Sequence, residues 1–562
     1  MSVHHRFAFA AMQLLAGLPL ARAQSQPPIR IVFDTHVDPM DGIPEANRHD
    51  AYLVSIDDAN WELDLADSFG ARISFLSVGE FMEYVVEEGS AGPGAALLRR
   101  MYASGQQIGS HSHREWRRAA HDWPQFGADA DIDAARVSWT DNIAWVDQAI
   151  MVALGPTLPE PIEAINSVKG AHLPVSESDY HALMREFLLG RRQAGPEEDY
   201  YAWFGHHIWT VFRPSSTNAM GEDLAGPFVV VPQSPTPGRA GVHHGIYQDM
   251  TEPNAKRMFL QAYLSWRASD RHGRMEKIWA IGWGGHPADF TPGGVERTTL
   301  VNVMSFLQDQ FIGKHEPTGS TVAVWASTRE TAQAYLDWEA RHPGVSSFSF
   351  DSLAVDWGEY PYLRAAAEEL EASAYQGEID LGPDLKAHRL QREALDQVVL
   401  WRPVGSSTVD ASGWVSAPVR IVDLETGRLL GTDPTAVSVG ESPIIVTEDA
   451  PRLDWSGEAR IGHTLFIDLY GRGGQRGVLY AAGGGLDASV PHHGRLLIDP
   501  TSGLLRVAAP TIAPDGVAAI RINIPNDPSL VGLTPHFQGL VRRFQDAGAV
   551  LTINDVVVTI GA

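Results

Sequence analysis

The sequence predicts an α/β protein: a (β/α) barrel-like domain comes first and small all-β domains follow it. Three observations carry this. From Ile29 to about Phe350, short β-branched runs alternate with helix-like stretches, the pattern of parallel strands with covering helices. From about Asp449 the chain is nearly all short strands separated by glycine turns, which predicts an antiparallel sandwich. The 562 residues, 44% of them hydrophobic, suffice for one large core and one or two smaller ones.

Taken in order, residues 1–23, "MSVHHRFAFAAMQLLAGLPLARA", have a basic start at Arg6, an apolar run from Phe7 and the small-x-small step Ala21-Arg22-Ala23. This is the pattern of a secretory signal peptide, with an apolar run shorter than the roughly 20 residues a membrane helix needs. The expected location is secreted, extracellular or periplasmic, with no membrane span. Residues 29–345 hold the barrel-like domain, with strands in "IRIVFD", "ARISFLSV", "FVVVPQ", "IWAIGWGG" and "STVAVWAS" and helices in "GAALLRRMYAS" and "AKRMFLQAYLSWRAS". Residues 346–448 read as a helical segment, "YLRAAAEELEASAYQGEIDLGPDLKAHRLQREALDQ", and a small β-subdomain from "VVLWRP" to "SPIIVTE". Residues 449–562 read as an antiparallel β-sandwich module that can be removed without unfolding the first domain. It carries no catalytic signature, and its expected role is stabilisation or attachment to a cell surface.

The formal charge of −26 disfavours nucleic acid, since no basic stripe interleaved with aromatics offsets it locally. There are no cysteines, so disulfides and thiolate chemistry are excluded, and a metal would have to be held by His, Asp and Glu.

Two short stretches concentrate such groups. "IRIVFDTHVDPM" runs from an apolar strand into Asp34, His36 and Asp38, which share one parity and one side of an extended chain. Polar groups at the carboxyl ends of parallel strands are where such sheets place their sites; the plainer alternative has the two aspartates capping a turn. "ALLRRMYASGQQIGSHSHREW" reads as a helix ended at Ser104-Gly105 and a short strand delivering His111, with His113 and Glu115 in the same register. Imidazoles two residues apart can converge on one ion, and with carboxylates they suit zinc or another divalent first-row metal.

On these residues the chain resembles the polysaccharide deacetylases of the nodulation-factor type. "ASGQQIGSHSH" is similar to that family's second motif, which supplies metal-binding histidines, and "IVFDTH" to its first, where an acidic residue ending strand one is the catalytic base. The resemblance covers mainly residues 29–120, with weaker echoes to about 345. It implies that Asp34 is the base and that His36 and His111 are metal ligands, with His113 or Glu115 completing the set and Asp38 behind them. Two departures stand out: His36 replaces the usual metal-binding aspartate, and Glu115 the usual second histidine of the motif. "WAIGWGGHPADF" places His286 like the late histidine that protonates the leaving group, and "HHIWTVFRPSSTN" places Arg213 like the arginine that orients the base. Lys169 and His172 in "NSVKGAHLP" compete for that last role, and His243 and His244 read as surface or cleft-lining.

The expected activity is metal-dependent hydrolysis of an N- or O-acetyl group on a polysaccharide or oligosaccharide. Two alternatives stand beside it. A metal-dependent glycoside hydrolase would pair Asp34 with Asp289 or Glu80 across a scissile bond. A non-catalytic carbohydrate-binding surface protein would draw on the 16 tryptophans and the β-rich tail.

Overall fold

The computed structural model describes residues 26–38, 40, 43–112, 132–156, 165–167, 181–183, 185–186, 209–217, 221–232, 234–238, 250–272, 277–346, 366, 369–370, 373–392, 395–415, 419–431, 433–448, 452–470, 476–490, 494–513, 517–542, 549–552 and 556–561. They divide into two compact units, residues 1–359 and 360–562.

The first unit is built on β1 (Ile29–Val37), β2 (Ile73–Ser77), β3 (Gln107–Ser112), β4 (Ile165–Ser167), β5 (Ser234–Pro235), β6 (Ala280–Gly285) and β7 (Ala323–Ala326). Helices α1 (Glu45–Phe69), α2 (Gly79–Glu88), α3 (Pro93–Ala103), α4 (Ile132–Leu154), α5 (Glu252–His272), α6 (Val295–Gln310) and α7 (Thr328–Arg341) fall between and after them. The strands run in the order β4-β3-β2-β1-β6-β5, with β7 also on β1, and every pairing is parallel. Among the described residues no ladder joins β4 to β5. The alternation read from the sequence is therefore a parallel sheet, and all its carboxyl ends lie on one side.

Local chemistry accounts for the turns that aim those ends. Gly70 (φ 62°) ends α1 and Gly105 (φ 72°) ends the turn after α3, left-handed positions that favour glycine. A capping box between Ser327 and Glu330 starts α7. The glycines of "IGWGG" have a different cause. A Cβ on Gly282 would lie 1.9 Å from the Val32 carbonyl oxygen, so β6 can approach the buried β1 this closely only without a side chain there.

"FVVVPQ" does not become a strand of this sheet. Val230 instead bridges Phe212 in antiparallel fashion, and Phe228–Val231 pack with Val211, Tyr335 and Trp338 in a buried cluster. A short apolar β-branched run specifies burial and extension, but not the partner strand.

The second unit is antiparallel throughout its named strands. Strands β8 (Ser373–Glu378), β9 (Lys386–Arg392) and β10 (Leu395–Trp401) form a six-stranded sheet with Val419–Asp423, Leu429–Gly431 and Ile444–Glu448. The helix expected across "SAYQGEIDLGPDLKAHRLQREALDQ" is thus replaced by strands. The charged residues that suit a solvated helix face also suit the outer face of a hairpin: Arg389 donates to Asp396 at 2.9 Å, while Ala387, Val398 and Leu400 enter the core. Propensity yields to that burial. Further on, Arg452–Gly457, Thr464–Tyr470 and Val517–Asn523 form one sheet, and a five-stranded sheet includes Gly477–Ala482 and His536–Arg542. Leu453, Ile467, Leu469, Leu479, Phe537 and Val541 share a second core cluster.

Candidate metal centre

β1 carries Asp34 and His36 two residues apart, and the ladder holds both. Asp34 is level with Gly284 of β6, and His36 with Leu76 of β2, itself level with Gly109 of β3. His111, two residues past Gly109, therefore reaches the same end of the sheet, as does His286, one residue beyond β6. Asp38 follows directly on β1. Residues far apart in sequence meet because parallel strands deliver their carboxyl ends together.

The geometry is close. His111 Nε2 lies 3.3 Å and His36 Nε2 3.8 Å from Asp38 Oδ1, and His286 Nε2 lies 3.0 Å from Asp38 Oδ2. The His36 ring centroid is 4.3 Å from that of His111 and 4.2 Å from that of His286. His36 and His111 are fully buried, whereas the Asp38 side chain is 39% exposed. His36, Asp38 and His111 each offer a ligand atom, and these lie within 4.8 Å of one another.

This donor set fits a divalent cation. Two buried imidazoles against one carboxylate match zinc or another first-row metal, and Asp38 is the exposed member of the set. The carboxylate that the sequence placed behind the ligands is thus in the group itself. His113 and Glu115, the other candidates for this position, lie outside the described residues, as do Lys169, His172, His243 and His244.

His286 is fixed from behind. Asp289 Oδ2 lies 3.1 Å from His286 Nδ1 and accepts the His286 backbone N–H at 3.0 Å, and Thr236 Oγ1 sits 3.4 Å from the same oxygen. Two carboxylates thus face the two ring nitrogens. Asp289 at the third position of the short turn reaches back to the His286 backbone N–H as the acid of a capping box does, but "HPAD" lacks the Ser/Thr and Glu/Gln of that signature, so the pair was not legible in the sequence.

Behind β1 lies a group with no sequence signal. Glu62 on α1 is 1% exposed, and its Oε1 accepts from Thr35 Oγ1 at 3.1 Å. Burial pushes its carboxyl well above the ordinary range, aided by Asp289 and Asp58 and opposed by Thr35 and His286. A carboxyl neutral when folded and ionised when unfolded binds its extra proton in the folded state. Its contribution is therefore fully present below about pH 4.3 and is lost as pH rises through the folded value, at up to about 1.4 kcal/mol per unit. Glu62→Gln, which keeps the acceptor for Thr35, is expected to melt like the wild type at pH 4 and above it at pH 8. Parallel pH profiles in thermal melts would show that Glu62 is ionised in the fold.

Arg213 does not join the centre. Its Nε and Nη2 donate to Glu339 at 2.7 and 2.9 Å and its Nη1 to the Gly226 carbonyl, and it lies 5.9 Å from the Tyr335 ring centroid. The neighbouring Thr210 bridges Trp279, just before the amino end of β6, whereas the site lies beyond its carboxyl end. The sequence expectation that Arg213 orients Asp34 is replaced by a pair in which Arg213 holds the Glu339 carboxyl below its usual range. Glu80, one of the carboxylates a glycosidase would need, is fully buried and accepts from Arg48 and the Met40 N–H. The other, Asp289, is committed to His286.

No protein-family model and no curated protein matches the chain. Among solved structures, a protein described as a polysaccharide deacetylase from Pseudomonas aeruginosa PAO1 aligns at TM-score 0.36 and 12% identity, over 56% of this chain and 93% of that one. Another so described, from Mycobacterium smegmatis, aligns at TM-score 0.33 and 12% identity over 56% and 96%. Puue allantoinase aligns at 0.34 and 11% over 58% and 94%. Likeness at this level fixes neither family nor activity.

Proposed function

We propose that the chain is a divalent-metal hydrolase that removes acetyl groups from a carbohydrate, with zinc as the first candidate metal. The observation that carries the reading is the convergence of His36, Asp38 and His111 within ligand distance at one end of the sheet, flanked by Asp34 and His286. The substrate class rests on the motif resemblance of "IVFDTH" and "QIGSHSH". A cation held by His36, Asp38 and His111 supplies Lewis acidity that polarises a carbonyl and acidifies water. Asp34, one strand step below His36 on the same face, takes the proton of the attacking water. The acyl C–N or C–O bond then breaks, and His286, held at Nδ1 by Asp289, returns a proton from Nε2 to the departing amine or hydroxyl.

The leader-like residues 1–23 support action outside the cytoplasm, and the β-rich second unit an attachment role. No helix among the described residues is long and apolar enough to cross a membrane.

The test is metal analysis of the purified chain combined with acetate release from chitin oligomers and acetylxylan. Stoichiometric zinc and chelator-sensitive acetate release are expected. A chain that binds these glycans but neither holds metal nor releases acetate would be a carbohydrate-binding protein, and the reading would fall.

A further inference from the structure

Of the three residues that converge, His36 and His111 sit on strands whose ladders fix them, whereas Asp38 lies past the end of β1. It is the only carboxylate of the three, and a ligand on a loop must be held by something other than a ladder. We propose that Glu80, at the start of α2, is the positioning residue for Asp38, a role that rests on the metal reading above.

The clamp is buried and two-armed. Glu80 is 0% exposed. Its Oε2 accepts the Met40 backbone N–H at 2.9 Å, two residues after Asp38. Its Oε1 accepts Arg48 Nη1 at 3.0 Å, and Arg48 Nε donates to the Ile43 carbonyl at 3.0 Å. Ile43 N–H returns to the Met40 carbonyl at 3.2 Å, and Val78 N–H, two residues before Glu80, ties to the Val37 carbonyl at 3.3 Å. The chain on both sides of Asp38 is therefore fastened to the β2–α2 junction. A carboxylate in the first turn of a helix also suits the positive end of its dipole. Through the Met40 N–H, Glu80 acts on the backbone that aims Asp38. Residues that orient ligands from behind typically contribute 10–100-fold to metal affinity.

The full chain, stripped of metal, is titrated with Zn2+ against a chelating dye and with Co2+ while the visible d–d bands are recorded. Glu80→Gln can satisfy Met40 or Arg48 but not both. It is expected to weaken Zn2+ binding about 10–100-fold and to move the Co2+ bands toward those of Asp38→Asn. A residue that merely supports the fold would lower the melting temperature of the metal-free protein without altering affinity or spectrum. A folded Glu80→Gln with wild-type affinity and spectrum overturns the proposal. If Glu80→Gln does not fold, Arg48→Gln, which removes the Arg48 pair with Glu80 Oε1 and the Ile43 arm but leaves the Met40 N–H bond to Oε2, is expected to show the same shift at smaller size, and its absence there is equally decisive. Should the wild-type chain bind neither ion, it is the metal reading itself that fails.

Discussion

His111→Ala is expected to weaken Zn2+ binding by more than about 100-fold, beyond what loss of a supporting contact costs, and to abolish acetate release with it. His111 is the penultimate residue of a strand whose ladder to β2 runs through residues 107–110 and to β4 through residues 110–112, so the backbone frame survives its truncation. The side chain is fully buried, yet it faces Asp38 and the His36 ring rather than the apolar core. Truncating a buried ring also leaves a cavity, so the metal-free protein is expected to lose about 0.5–3 kcal/mol, the usual range of point substitutions, and to remain folded. Dye-competition titration and a thermal melt of the metal-free protein check both halves. Full metal content in the variant would remove the centre; unfolding without metal loss in the folded fraction would make His111 a core residue only.

Asp34→Asn should separate chemistry from binding. The amide keeps the shape of the carboxylate but cannot take a proton, so turnover is expected to fall about 10²- to 10⁴-fold while Zn2+ affinity stays within a few-fold of wild type. Asp34 lies on the same face of β1 as His36, level with Gly284, and is not one of the three converging ligands. Loss of metal together with turnover would make it a ligand; unchanged turnover would exclude it as the base.

How much of this was legible in advance differs residue by residue. Parity in "DTHVD" put Asp34, His36 and Asp38 on one side, and the Ser104-Gly105 stop before "QIGSH" put His111 at a strand's end. Both are local facts, since a strand's period of two and a glycine's left-handed turn need no partner. The β/α alternation of the first unit and the β-rich second unit were legible for the same reason. The hairpin β9–β10 was not, because its charged alternation fits a solvated helix as well as a solvated sheet face, and only burial of Ala387 and Val398 decides between them.

By itself, then, the sequence determined the ligand types, the parity of each cluster and the order of elements, all set within a few residues of chain. Only the tertiary structure decided which clusters meet. Asp38 became a member of the group and Arg213 the partner of Glu339. Glu62 and Glu80 became buried acids behind β1 and beside its loop. Parallel strand order and helix packing bring together residues 27 to 250 positions apart, and no local periodicity encodes those distances.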